Sequence, residues 1–235
     1  MRLGIGAFLA LIIGAGASMP VNPAGGQVVT AGPKSCSAVA LTYDLCPVKA
    51  DPGLDAELIE FLKSRAVPAT FFMSGRWIVR HDTAVNELLA VPSFEVGTHG
   101  QVHAHLPHHD PEYQRREIAE PVTMLKAKYG HQAKLFRPPY GEFNDATLEV
   151  VKTLGLRFIM WSVESGDPDL SLTADSILAR ITKHVKPGSI IVLHANGKGR
   201  HTKQVTEALV TAVLPDKGLR PMTISELLTC NRPAD

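Results

Sequence analysis

Apolar runs too continuous to leave one face in water recur along this chain. They are "AVALTYD" from Ala38, "PATFFMS" from Pro68, "SFEVGTH" from Ser93, "AKLFRP" from Ala133, "LRFIMWS" from Leu156, "SIIVLH" from Ser189 and "RPMTI" from Arg220. A half-wet strand alternates apolar and polar residues, whereas such runs suit strands covered on both faces, as in a parallel sheet. The intervals between them carry the helical period. "GLDAELIEFLKSRA" places Leu54, Leu58, Ile59 and Leu62 on one face and stops before Pro68. "PEYQRREIAEPVTMLKAKYG" predicts a long helix kinked at Pro121 and closed by Gly130, and "TADSILARITKHVKPG" opens on a Thr173 cap and stops at Pro187-Gly188. Strand and helix alternating in this way predict an α/β chain whose parallel sheet curls into a distorted (β/α)7 barrel.

The chain of 235 residues is long enough for one such domain. Residues 1–17 read as a secretory signal: Arg2, then the apolar "LGIGAFLALIIG", then "AGA" before Ser18. That stretch is shorter than the ~20 apolar residues of a membrane span, so no membrane span is expected once it is cleaved. Residues 18–35, with their Gly and Pro, read as a flexible leader, residues 36–230 as the domain, and residues 231–235 as a tail. Export permits disulfides. Cys36 and Cys46 flank the first predicted strand, whose length holds its ends about 30 Å apart, so they cannot bond each other. Cys36 with Cys230 is the preferred pair, which leaves Cys46 free beside Asp44. A net charge of +1 with no basic run argues against nucleic acid as a partner. Oligomeric state is not legible.

The ends of the predicted strands carry the chemistry. In barrels of this class, active sites form on the loops after the carboxyl ends of the strands. Here the first strand ends in Asp44, the third in His99, the fourth in Arg137 and the sixth in His194, while the fifth leads into Glu164 and Asp167. His99 and His103 stand four apart, so a helical turn would turn both rings to one side, where they could share a divalent metal. His105, His108 and His109 read as exposed loop residues. Arg137, stiffened by two prolines, can pair with a carboxylate and hold it ionised. His194, where an apolar run meets a Gly-containing loop, can act as a general acid whose pKa a neighbouring carboxylate raises.

In this order the motifs resemble those of the polysaccharide deacetylase family, also called the NodB-homology or carbohydrate esterase 4 domain. "TYDLCP" is similar to its first motif, Thr-Phe-Asp-Asp-Gly; "HGQVHAHL" to its second; "RPPYG" to its third; "ESGDP" is a degraded fourth; and "VLH" is the fifth. The resemblance implies the barrel fold and an exported hydrolase that removes N-acetyl groups from a glycan substrate. It implies Asp44 as base, His99 and His103 as ligands of a divalent metal, usually Zn2+, and His194 as the acid. Arg137 would orient Asp44, and Asp167 would tune His194. The backbone N–H of Tyr140 would help hold the oxyanion, and Leu193 would line the pocket for the acetyl methyl group.

Three positions depart from that pattern. Leu45 replaces the family's second aspartate, a metal ligand, and Pro168 replaces an aromatic of the fourth motif. "LHANGKGRHT" replaces the commoner Leu-His-Asp, so that Lys198, Arg200 and His201 become candidates for substrate contact. Three readings of the site remain open at this level. A two-histidine site holds metal weakly, completed by Asp44, by Cys46 or by water. Alternatively, the chain hydrolyses small non-peptide amides without metal, or it is a catalytically silent glycan binder.

Overall fold

The computed structural model describes residues 27–230, so the signal expected over residues 1–17, the first part of the leader and the tail lie outside the described residues. The strands are β1 (Val28–Val29), β2 (Ala38–Leu45), β3 (Ala69–Met73), β4 (Phe94–Thr98), β5 (Leu135–Phe136), β6 (Arg157–Ile159), β7 (Val163–Glu164), β8 (Ile190–His194) and β9 (Arg220–Met222). Every residue of β2 is buried, as its unbroken apolar run requires of a central strand. It pairs with β3, β8 and β9, and every strand-to-strand ladder among the described residues is parallel. The sheet runs β1-β6-β5-β4-β3-β2-β8-β7, with β9 added beside β2. It curls as the sequence predicts of a parallel α/β barrel.

The connecting helices are α1 (Ala56–Ser64), α2 (Gly75–Arg80), α3 (Asp82–Ala90), α4 (Pro111–Tyr129), α5 (Asp145–Thr153), α6 (Ala174–His184), α7 (Thr202–Ala208), α8 (Leu214–Asp216) and α9 (Ile224–Thr229). Their ends follow local chemistry. Asp55, Asp110 and Thr173 cap α1, α4 and α6 by accepting backbone N–H bonds. Gly130 closes α4 in the left-handed conformation, and α4 is continuous through Pro121.

Two expectations about boundaries change. The leader is not loose throughout. Val28–Val29 pair with Phe158–Ile159 of β6, Ala31 bridges to Ser189, and the Gly32 N–H donates to the Gly188 carbonyl at 2.8 Å. This segment therefore spans from β6 to the residue before β8 and satisfies backbone groups that a shorter chain would leave bare. The run "LRFIMWS" is not one strand either: β6 stops at Ile159, and Met160–Ser162 turn before β7.

Side-chain parity along β2 separates two environments. Val39, Leu41, Tyr43 and Leu45 pack into the larger core under the helices. Ala38 and Ala40 face the other way, into a smaller cluster with Phe72, Leu135, Ile190 and Leu227 of α9. That cluster fills the amino-terminal end of the barrel, and the next inward residues of β2, Thr42 and Asp44, are polar and buried. The interior is thus apolar at one end and chemically equipped at the other.

Cys36, just before β2, and Cys230, the residue that caps α9, are joined by a disulfide with a Cα–Cα separation of 5.8 Å, closing a loop of sequence separation 194. Cross-links of this kind typically contribute about 2–4 kcal/mol, more for long loops. Cys230→Ser should lower the unfolding free energy by that order in urea titrations of oxidised protein. An unchanged urea midpoint would show that α9 holds its place without the bridge.

Candidate active site

Parallel pairing sets the first distance in the site. Asp44 on β2 lies directly opposite His194 on β8, so the last inward residues of two neighbouring strands meet at one rim. Arg137, just past β5, completes the floor. It is fully buried, and its guanidinium donates to Asp44 Oδ1 at 2.9 Å, to Thr42 Oγ1 at 2.8 Å and to the Met160 carbonyl at 3.2 Å. It also stands over two aromatic rings, 4.2 Å from the Phe72 centroid and 5.6 Å from that of Trp161. Burial pushes the Asp44 carboxyl up, but Arg137, then His99 and His194, hold it below the ordinary carboxylate range. Asp44 is therefore an anion.

His99 follows β4. Its Nδ1 bonds the Arg137 carbonyl at 2.9 Å, which directs Nε2 toward Asp44 Oδ2, 3.6 Å away. Burial lowers the His99 pKa, but Asp44 and then Cys46 outweigh it and raise it. His103 is not carried to the site by a helical turn. Residues 99–103 form an irregular loop in which Gly100 and His103 are both left-handed, with φ of 70° and 65°. The Glu117 carboxylate on α4 holds this loop, accepting the N–H groups of Gln101 and Val102 at 3.1 Å each. The rings of His99 and His103 meet edge-on at 4.9 Å.

Leu45 continues the β2 ladder opposite Met73 and points into the hydrophobic core. The following residue, Cys46, returns to the Asp44 side. One donor atom each from Cys46, His99 and His103 lie within 4.8 Å of one another. Burial raises the Cys46 thiol pKa, but the neighbouring imidazoles of His103, His194 and His99 pull it well below the usual thiol range. Two imidazoles and a thiolate fit a borderline-soft divalent ion such as zinc. Lys198 Nζ stands 3.7 Å from the same sulfur. The buried Asn196 side-chain amide donates to the Cys46 carbonyl and so anchors this turn.

On the neighbouring strand, His194 Nδ1 bonds Asp167 Oδ1 at 2.9 Å, and the His194 N–H donates to Oδ2 at 2.8 Å. Asp167 is fully buried and also accepts from Ser165 and Thr202, each at 2.9 Å. Burial lowers the His194 pKa, but the Asp167 bond, followed by Cys46, raises it to about 10. Its ring lines the pocket beside Cys46.

The pocket, about 140 Å³, is lined by Asp44, His99, His103, Asp167 and His194, with Tyr140, Trp161, Pro168 and Lys198 at its walls. Glu164 also lines it. Tyr140 is half exposed and holds a left-handed backbone with φ of 61°. Leu193 does not line it. The parity that turns Val192 and His194 to the pocket turns Leu193 into the core, so Val192 supplies the apolar wall expected of Leu193. Of the basic residues after β8, only Lys198 reaches the pocket; the Arg200 backbone donates to the Asp167 carbonyl, and His201 precedes α7. His105, His108 and His109 are exposed, and His105 stacks on Tyr140 at 3.9 Å.

Sequence reasoning did not single out Glu117, Trp161, Ser165, Asn196 or Thr202. Glu117 had one legible signal, an acidic residue adjoining the buried face of an amphipathic helix. Trp161 was hidden inside a run read as one strand.

A family model described as polysaccharide deacetylase matches residues 31–159. A peptidoglycan-N-acetylglucosamine deacetylase of Bacillus cereus is 29% identical over 204 residues, covering 86% of this chain and 93% of that one. A chitooligosaccharide deacetylase of Sinorhizobium fredii is 32% identical over 165 residues, covering 67% of this chain and 71% of that one. A solved CE4 family pseudoenzyme from Bacillus anthracis has the same fold, with a TM-score of 0.78 at 24% identity over 89% of this chain and 71% of that one.

Removing the guanidinium would leave Asp44 as an unpaired buried charge, which costs about 3–5 kcal/mol. Arg137→Met should lower the unfolding free energy by that order, and adding Asp44→Asn should restore part of it by removing the orphan charge. A double variant no more stable than Arg137→Met would show that the cost lies in packing rather than charge.

Proposed function

Because the chain belongs to the polysaccharide deacetylase family, we propose that it is an exported hydrolase that removes N-acetyl groups from a glycan, breaking a C–N bond other than a peptide bond. The observation that carries this reading is the pair of dyads that meet at one pocket, Asp44 with Arg137 and His194 with Asp167. Asp44, ionised beside Arg137, takes a proton from the attacking water as its oxygen bonds the acetyl carbon. The backbone N–H of Tyr140 is assigned to the developing oxyanion. His194, charged and oriented by Asp167, gives its pocket-facing proton to the amide nitrogen as the C–N bond breaks. Acetate and a free amino sugar leave.

Cys46, His99 and His103 would hold the divalent metal on which this family's chemistry depends. When bound, such an ion polarises the acetyl carbonyl and lowers the pKa of water. Cys46 supplies the negative charge that Leu45 cannot, so the site keeps an anionic third donor one residue later in the chain. His99 suits ligation because its second ring nitrogen is tied to the Arg137 carbonyl, the outer-shell bond that fixes a ligating imidazole. Export is supported by the pattern of residues 1–17 and by the Cys36–Cys230 bridge, which belongs to an oxidising compartment. Among the described residues no helix is long and apolar enough to cross a membrane.

Acetate release from N-acetylglucosamine oligomers, measured after chelation and again with zinc restored, tests the reading. Asp44→Asn should reduce kcat by roughly 10²–10⁴-fold. Acetate from neither preparation of wild type would overturn the assignment. Cys46→Ser should weaken zinc binding by at least the roughly 10–100-fold that losing even an outer-shell partner costs. A chelator competition curve superimposable on wild type would remove Cys46 from the ligand set.

The raised His194 pKa fixes the sign of a pH effect. The charged form that donates the proton persists up to about pH 10, and the stabilisation of the pair is complete below about pH 6.5 and lost as pH rises through 10. Asp167→Asn should move the alkaline limb of kcat down toward neutrality. A limb that stays in place would assign the proton to another group.

A further inference from the structure

A second groove, about 270 Å³, adjoins the catalytic pocket and shares His103 and Tyr140 with it as a common wall. Its other side carries Lys49, Arg76 and Arg80, and among the described residues no acidic one lines it. Arg80 is partly compensated by Asp51 at 3.2 Å, an aspartate that also bonds His81 at 2.7 Å. Lys49 and Arg76 are exposed, and among the described residues neither has an ion-pair partner. Arg76 is fixed relative to the reacting centre. Its backbone N–H donates to the Gln101 carbonyl at 2.8 Å, and that of Gly75 to the Gly100 carbonyl at 2.9 Å, within the loop that carries His99 and His103.

Unpaired cations concentrated beside the pocket of a chain with net charge +1 call for an anion there. A neutral amino-sugar oligomer has none to give. We propose that this groove is a subsite for a carboxylate carried on a sugar next to the one that loses its acetyl group, making the chain selective for acidic N-acetylated glycans. The proposal rests on the deacetylase reading and narrows its substrate class. The guanidinium of Arg76 matches a carboxylate bidentately, while Lys49 and Arg80 act as surrounding charge. The contacts are exposed, so the preference falls with salt.

Two tetrasaccharides separate the possibilities: a neutral N-acetylglucosamine tetramer, and one alternating N-acetylglucosamine with its lactyl-carboxylate-bearing counterpart. Calorimetric binding to the Asp44→Asn protein at low salt should favour the acidic tetramer by about tenfold, the size of a 1.4 kcal/mol difference. Methyl esterification of its carboxylates, or the double substitution Lys49→Gln with Arg76→Gln, should bring the acidic-to-neutral ratio close to one. Both positions are exposed, and an unchanged thermal melt establishes that the double variant is folded. A ratio near one in the parent protein, or a preference that survives both changes, overturns the subsite. Selective binding without acetate release by wild type would sink the deacetylase reading but keep the subsite; acetate release from both tetramers with equal affinity would do the reverse.

Discussion

The buried contact between Arg137 and Asp44 is the constraint on which the rest of the site depends. Desolvating two charges costs several kcal/mol per ion, and their attraction offsets this only where the remaining hydrogen-bonding capacity is met. Thr42, the Met160 carbonyl and the faces of Phe72 and Trp161 meet most of it, although Arg137 Nε has no partner among the described residues. The same residue bonds its backbone N–H to Thr98 and its carbonyl to the His99 ring. One side chain and one peptide unit thereby set the charge of Asp44 and the orientation of His99 together. The apolar cluster at the other end of the barrel matters for the same reason, because it keeps water from reaching the guanidinium from below.

Position 45 shows how strand geometry governs what substitution can do. A leucine in an unbroken ladder buries its side chain in the core, where such burial stabilises by about 1.5–3 kcal/mol. The strict two-residue alternation of a strand then presents position 46 to the site. An apolar side chain in the core at one position and a thiol facing the site at the next are thus linked by backbone parity. Lys198 beside the sulfur further favours the thiolate form.

Much of this was legible because polar residues at the ends of apolar runs have few structural reasons to be there. Asp44, Arg137 and His194 each end or follow such a run; Asp44 and His194 reach the rim, and Arg137 forms the floor beneath Asp44. What failed was inference from spacing where the backbone is irregular. The four-residue interval of His99 and His103 suggested a helical turn, but their convergence is made by two left-handed residues and by Glu117, which lies far away in sequence. Leu193 failed for a different reason: a motif names neighbours in sequence, and neighbours on a strand face opposite ways. The two-residue strand at Val28–Val29 carries no periodicity, and only its pairing with β6 defines it.

The site divides by how firmly its parts are held. Asp44, Arg137, Asp167 and His194 are buried at strand ends or locked by several hydrogen bonds, so their geometry is set when the sheet forms. His103, Tyr140 and Lys198 sit on loops and are more exposed. The Asp44–Arg137 and His194–Asp167 pairs therefore belong to the fold itself, whereas His103, Tyr140 and Lys198 rest on segments that can vary without disturbing the barrel. A chain can change residues on such loops while its buried ion pairs stay in place, which is the combination of an altered first motif and two intact dyads found here.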